Sequence, residues 1–128
     1  MRLKHFSISF GEQLLKALAD ESRIRILNLI LRNKEMCTSD LEQVLDFTQT
    51  KTSRHLAYLR NASLVTSRKL DQWVFYTIKE EGADFTTQIF NYLERDAVLQ
   101  KDQETYEILY SNRELAINKQ EARRWISP

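Results

Sequence analysis

Cysteine, glycine, proline and histidine are nearly missing from this 128-residue chain, and each shortage excludes something. The single cysteine, Cys37, rules out an internal disulfide and fits a reducing cytoplasm. Two glycines and one proline, the proline being the last residue, leave few tight turns and predict a mainly helical chain. There is no His/Cys metal cluster, no Gly-rich phosphate loop and no Ser/His/Asp spacing, so an enzyme is not expected. Apolar runs such as Leu29 to Leu31 and Trp73 to Tyr76 are far too short to span a bilayer. The N-terminal MRLKHFSISF lacks the apolar stretch of a secretory signal, so no membrane partner is expected and the location is read as cytoplasmic. The length suits one domain.

A further absence is local. From Phe47 to Leu70 there are 24 consecutive residues without a carboxylate, yet they carry Lys51, Arg54, Arg60, Arg68 and Lys69. Of the chain's 19 basic residues, 14 lie outside this window, against 18 acidic ones. The window is therefore +5 and the rest −4. A nearby Asp or Glu repels phosphate, whereas each Lys or Arg displaces a counterion from a polyanion. The alternative is a solvated basic face that binds nothing.

Periodicity organises the remainder. Phe6, Ile8 and Phe10 alternate with polar residues, as in a short strand or extended arm. Leu14, Leu15 and Leu18 then begin a helical pattern. Asp20 is a good N-cap for a second helix over roughly 21–32, with Ile24, Leu27, Ile30 and Leu31 inward and Arg23, Arg25 and Arg32 outside. Lys34 and Glu35 connect to a third helix capped by Thr38 or Ser39, Ser39 and Glu42 having capping-box spacing. Leu41, Val44 and Leu45 form its inner face. Thr48 caps a fourth helix running through Ala62, and the pair reads as a helix-turn-helix. Leu64-Val65 and Trp73 to Ile78, around a turn at Leu70–Gln72, read as a β-hairpin. Gly82 starts or hinges the next element. Beyond it, Phe85, Ile89, Phe90, Leu93 and Ala97 make one helical stripe; Tyr106, Leu109, Tyr110 and Ile117 make another, with Ile108, Leu115 and Ala122 adjacent. One long helix, or two broken near Gln100–Asp102, fits this segment. Residues 1–99 are read as one domain and 100–128 as a helical extension packed on it. The fold class is mainly α with a small β-hairpin.

On the fourth helix, about 100° per residue puts Thr52, Leu56 and Leu59 on a core face. Thr50, Arg54 and Ala57 face the other way, flanked by Lys51, Ser53 and Tyr58. Short polar side chains and an arginine near a helix start suit major-groove reading. Arg54 can donate twice to guanine, Gln49 can bond adenine or a phosphate, and the helix N-terminus at Thr48 favours a phosphate. Arg68 and Lys69 flank the hairpin turn, within reach of a minor groove or backbone. His55 lies beside the core stripe and serves either a phosphate or a backbone carbonyl. Tyr58 suits a backbone contact or exposed surface.

The runs LLKALADESRIRILNLIL, EMCTSDLEQVL, TQTKTSRHLAYLRNASLV and SRKLDQWVFYTI together resemble the ArsR/SmtB family of winged helix-turn-helix repressors. Asp20 to Arg25 is similar to the start of that family's second helix. Ser53-Arg54-His55-Leu56 with Leu59 is similar to its recognition-helix signature, and Trp73 to Tyr76 to its wing. The resemblance covers about residues 12–80. It implies a homodimer on an inverted-repeat operator in double-stranded DNA, released by an effector that the residues do not name. It places dimerisation on the first helix and the helix after the wing, with Leu14, Leu15, Leu18, Phe85, Ile89, Phe90 and Leu93 as candidates. Where the family often has glycine, before the first wing strand and at the wing tip, this chain has Ser63 and Asp71, so a shorter or differently turned wing is expected.

The family's metal sites are poorly matched. In Glu35-Met36-Cys37-Thr38-Ser39-Asp40, Cys37 takes the place of the first thiol of a Cys-x-Cys-x-Asp-type site and Ser39 that of the second. A soft site needs several thiolates. The other family site uses Asp and His after the wing, where Ala83 to Leu99 offers Asp84, Glu94 and Asp96 but no histidine. No metal and no cofactor is expected, and Cys37 reads as a buried, inert thiol. Tyr106, Tyr110 and Trp125 line either a small-molecule pocket or, more in keeping with helical spacing, a packing face. The competing reading of the whole is a winged-helix protein-interaction module that does not bind DNA.

Overall fold

The computed structural model describes residues 5–111. Leu115, Ile117, Ala122 and Trp125 lie outside them. The elements, in order, are α1 (Ile8–Leu18), α2 (Glu21–Asn33), β1 (Glu35–Cys37), α3 (Thr38–Leu45), α4 (Gln49–Asn61), β2 (Val65–Leu70), β3 (Trp73–Ile78), α5 (Glu80–Tyr92) and α6 (Ala97–Ser111).

The alternation at Phe6, Ile8 and Phe10 does not make a strand. Ser7 caps α1 by accepting the Phe10 N–H at 3.0 Å, and Phe6 packs edge-on against Phe10 with centroids 4.8 Å apart. A cap plus an apolar clasp one turn apart fixes the start of a helix. Asp20 caps α2 as expected, accepting the Arg23 N–H at 3.0 Å.

Helix α2 is the centre of the fold. Ile26, Leu27, Asn28, Leu29 and Ile30 are all buried, while Ile24 and Leu31 are only half-buried. Five consecutive buried residues cover more than one full turn, so burial extends beyond the single stripe that periodicity marks as the inner face. Arg32 is exposed as expected, whereas Arg23 and Arg25 are half-buried, and all three are bonded. The Arg23 guanidinium donates to the Ala17 carbonyl at 2.8 Å and the Lys16 carbonyl at 3.1 Å, satisfying the open end of α1. Arg25 grips Asp102 of α6 with two bonds of 2.8 and 2.9 Å. Arg32 bonds Asn28 Oδ1 and the Glu94 carbonyl, both at 3.1 Å.

Glu35–Cys37, read as part of a connection, is a strand. It pairs antiparallel with β3 (Met36↔Tyr76), giving a three-stranded sheet in the order β1-β3-β2. The N-cap of α3 is therefore Cys37, not Thr38 or Ser39, and it makes no side-chain cap bond. Asp46 takes a left-handed φ of 56°, and the Phe47 N–H returns to the Glu42 carbonyl at 3.2 Å. That ends α3 and sets the turn into α4, capped by Thr48.

The wing is regular, with six residues in each strand and register from Val65↔Ile78 to Leu70↔Trp73. Ser63 and Asp71 adopt φ of 65° and 54°, the region that glycine favours. At Ser63 the backbone closes α4 in a Schellman pattern: Leu64 N–H to Leu59 O and Ser63 N–H to Arg60 O, each 3.0 Å.

Gly82 lies buried inside the first turns of α5 rather than at a hinge. The break in the C-terminal segment falls at Leu93–Asp96, earlier than Gln100–Asp102, because Asp96 caps α6 by accepting the Val98 and Leu99 N–H groups at 2.9 and 3.1 Å. Ala97 consequently starts α6 and is exposed. Leu99 and Tyr106 join the main core, and Asn33 and Gln103 exchange two amide bonds of 2.9 Å. Tyr106 stacks on Tyr110 at 5.5 Å. No helix among the described residues is long and apolar enough to cross a membrane.

Replacing Ser63 by glycine should relieve the left-handed strain while keeping the Schellman bonds. The expected gain is about 0.5–1 kcal/mol, read as a higher urea midpoint at unchanged slope.

Candidate nucleic-acid interface

Helix α4 divides its residues cleanly. Thr52, Leu56 and Leu59 are wholly buried, and the Thr52 hydroxyl donates to the Thr48 carbonyl at 2.9 Å. Thr48, Gln49, Thr50, Ser53 and Arg54 are exposed. Thr48 Oγ1 accepts the Lys51 N–H at 3.1 Å, leaving its own proton free to donate outward. Lys51 is half-buried because its ammonium lies 4.0 Å from the centroid of the Phe47 ring. The cap and first two turns thus present backbone N–H groups, the hydroxyls of Thr48, Thr50 and Ser53, the Gln49 amide and the cations Lys51 and Arg54, with no acidic residue in the first turn.

Arg68 and Lys69 are both exposed on β2. Consecutive strand residues point to opposite faces. Register puts Lys69 across from Val74, on the face that packs on the main core, and Arg68 across from Phe75, on the face shared with Trp73. A cleft of about 320 Å³ separates the wing from the helix-turn-helix, lined by Ser39, Glu42, Gln49, Ser53, Gln72 and Trp73, among others. Ser39, Gln72 and Trp73 carried no signal as site residues in the sequence. Only the pairing of β1 with β3 brings the start of α3 beside the wing.

His55 is not on this surface. It is 7% exposed, and its Nδ1 faces Arg23 Nη1 at 3.4 Å. A guanidinium only donates, so Nδ1 is the acceptor and a neutral ring carries its proton on Nε2. The same guanidinium lies 4.0 Å over the Tyr58 ring. His55 therefore helps lock α4 to α2 and the end of α1. Burial pushes its pKa below the ordinary 6.5; Asp20 opposes this, while Arg54, Arg23 and Lys51 add to it. Burial also raises the Asp20 carboxyl, but the Arg23 N–H bond and the charges of Arg23 and His55 outweigh it, and the net shift is downward from 3.8.

Cys37 is buried, with Sγ 3.3 Å from Ser39 Oγ. Among the described residues no group of three or more His, Cys, Asp or Glu side chains is placed to hold a metal ion. Of the dimerisation candidates, Leu14 and Phe90 are 0% and 5% exposed and belong to the protomer's own core. Leu18, Phe85, Ile89 and Leu93 are half-buried, and Leu15 is open. The large apolar groups that α1 and α5 do expose are Ile8 (93%), Leu15 (60%) and Tyr92 (89%). Ile8 and Tyr92 escaped notice because an apparent strand hid the first turn of α1, and a lone tyrosine at a helix end breaks no pattern.

A helix-turn-helix followed by a β-hairpin, with the second helix of the pair polar and cationic at its start, defines a winged-helix protein. The profile of the bacterial arsR regulatory-protein family matches residues 20–67. The arsenic resistance transcriptional regulator ArsR1 of Pseudomonas putida is 44% identical over 66 residues, which are 52% of this chain and 52% of that protein. The arsenical resistance operon repressor of Escherichia coli is 47% identical over 66 residues, 52% of this chain and 56% of that one. These matches span about half the length of each relative. The solved structure of HlyU from Vibrio cholerae is 35% identical, with a TM-score of 0.61, over 66% of this chain and 91% of that one. This chain belongs to the arsR family of bacterial regulatory proteins.

The His55 environment gives a pH signature. A folded-state pKa below the unfolded value means stability is complete above about 6.5 and falls as pH drops through the folded value. The melting temperature of the native chain should decline more between pH 7 and pH 5 than that of His55→Gln, which has no titrating ring. Parallel declines would show that His55 does not titrate differently on folding.

Proposed function

We propose that this chain is a sequence-specific DNA-binding transcriptional regulator. It acts as a repressor, binding an inverted-repeat operator as a homodimer and making no use of the family's metal sites. One observation carries the reading: Gln49, Thr50, Ser53 and Arg54 form an exposed row without a carboxylate among them, on a helix whose other face is sealed in the core. Thr48, Lys51, Arg68 and Lys69 supply phosphate contacts around it. The E. coli relative is described as a repressor, whereas HlyU of V. cholerae is described as an activator. The sign of regulation assigned here rests on likeness to the former.

The exposed stripe of α1 supports self-association. Ile8, Gly11 and Leu15 follow one another at helical spacing, and a Cβ on Gly11 would meet no atom within 4 Å. A smooth apolar strip on a first helix suits a second copy of itself. Leu15→Glu should convert the dimer to a monomer in sedimentation without unfolding it, since Leu15 lies outside the core.

Selection of bound sequences from a random duplex pool tests the main reading. The expected outcome is a two-fold symmetric site. Arg54→Ala should weaken binding to it by about 1–3 kcal/mol and relax the preference at one base pair. An equal loss on random DNA would make Arg54 a phosphate anchor. Absence of any duplex binding at low salt would leave a protein-docking module.

A further inference from the structure

Helix α6 lies beyond the family-matched segment, yet it is bonded to α2, on which the helix-turn-helix packs. Asp102 is 4% exposed and holds Arg25 of α2 through both carboxylate oxygens. The Arg25 guanidinium in turn sits 5.5 Å from the centroid of the Phe47 ring, in the turn between α3 and α4. The Lys51 ammonium lies 4.0 Å from the centroid of that same ring. Two cations therefore share one aromatic ring, and like charges repel. Asp102 supplies the neighbouring negative charge that offsets Arg25 and lets Lys51 stay. Without it, the second cation would be driven away from the ring, and Lys51 would lose its fixed place at the start of α4.

From this chain of contacts we infer that Asp102 is a positioning residue for DNA binding, acting through Arg25 and Phe47 to hold Lys51 at the phosphate-facing turn. The inference rests on the DNA-binding reading above. It makes α6 part of the DNA-binding apparatus without touching DNA.

The sign of the effect separates positioning from simple charge. Asp102→Asn makes the protein more cationic by one, which on long-range electrostatics alone tightens binding to any duplex. Positioning requires the reverse. The probe is a 30-base-pair random-sequence duplex, titrated across a range of salt. Asp102→Asn should bind it about threefold to tenfold more weakly at low salt, with the salt slope reduced by about one, as for the loss of one phosphate contact. Lys51→Ala should do the same, and the double variant should lose little more. Glu104→Gln, an equal charge change at an exposed site of α6, should bind as well as the native chain or slightly better. If Asp102→Asn is poorly folded, Phe47→Leu serves: it keeps apolar bulk and the Arg25–Asp102 bonds but removes the ring, and the same reduction in slope is expected. Tighter or unchanged binding by Asp102→Asn, or a native slope in Phe47→Leu, overturns the inference while leaving DNA binding intact. Failure of the native chain to bind the duplex removes the functional reading, and this inference with it.

Discussion

Everything in this fold is referred to the burial of α2. Residues Ile26 to Ile30 contribute a continuous buried turn and a half, and α1, α3, α4, α6 and the sheet all lean on that one helix. Because it is enclosed, it has little freedom to rotate, so the polar groups at its edges point in fixed directions. Arg23 leaves one edge to close α1 and brace α4; Arg25 leaves another to meet α6. The orientation of the exposed face of α4 is thus inherited from the packing behind it. A mobile α2 would carry both arginines with it and misplace α4 however well α4 itself were formed.

The parts of the structure that were legible in the sequence are those written within one helical turn. Asp20 and Thr48 are legible because a cap and its N–H partner stand three residues apart. The sealed face of α4 is legible because Thr52, Leu56 and Leu59 repeat at helical spacing. What escaped depends on partners far along the chain. Arg25 meets Asp102 across 77 residues, and nothing local distinguishes it from a solvated arginine. Strand β1 is three residues long, too short for a period, and exists only because β3 offers an edge. His55 sat at the boundary between two faces, where a small rotation decides between phosphate and core. The guanidinium of Arg23, from another helix, decides it.

The wing shows how a backbone path can outlast the residue that usually allows it. Ser63 and Asp71 both take left-handed φ. At Ser63 the helix end is tied by two 3.0 Å bonds, and at Asp71 the strands on either side are in full register. Neighbouring hydrogen bonds therefore impose the conformation, and a short polar side chain tolerates it at modest strain.

Charge segregation acquires a sharper meaning once the positions are known. Of the five basic residues in the acid-free window, Arg54 faces outward from the recognition helix and Lys51 rests on Phe47. Arg68 and Lys69 occupy opposite faces of one strand, and Arg60 sits in the last turn of α4. They do not form a single patch. What the absence of carboxylates secures is that no acidic side chain belongs to the element that would enter a groove, or to the first strand of the wing. Acidic residues resume at the boundaries: Asp46 on one side, with Glu42 further back in the cleft, and Asp71 at the hairpin turn on the other. Repulsion from phosphate at those margins would disfavour sideways displacement of α4 along a duplex.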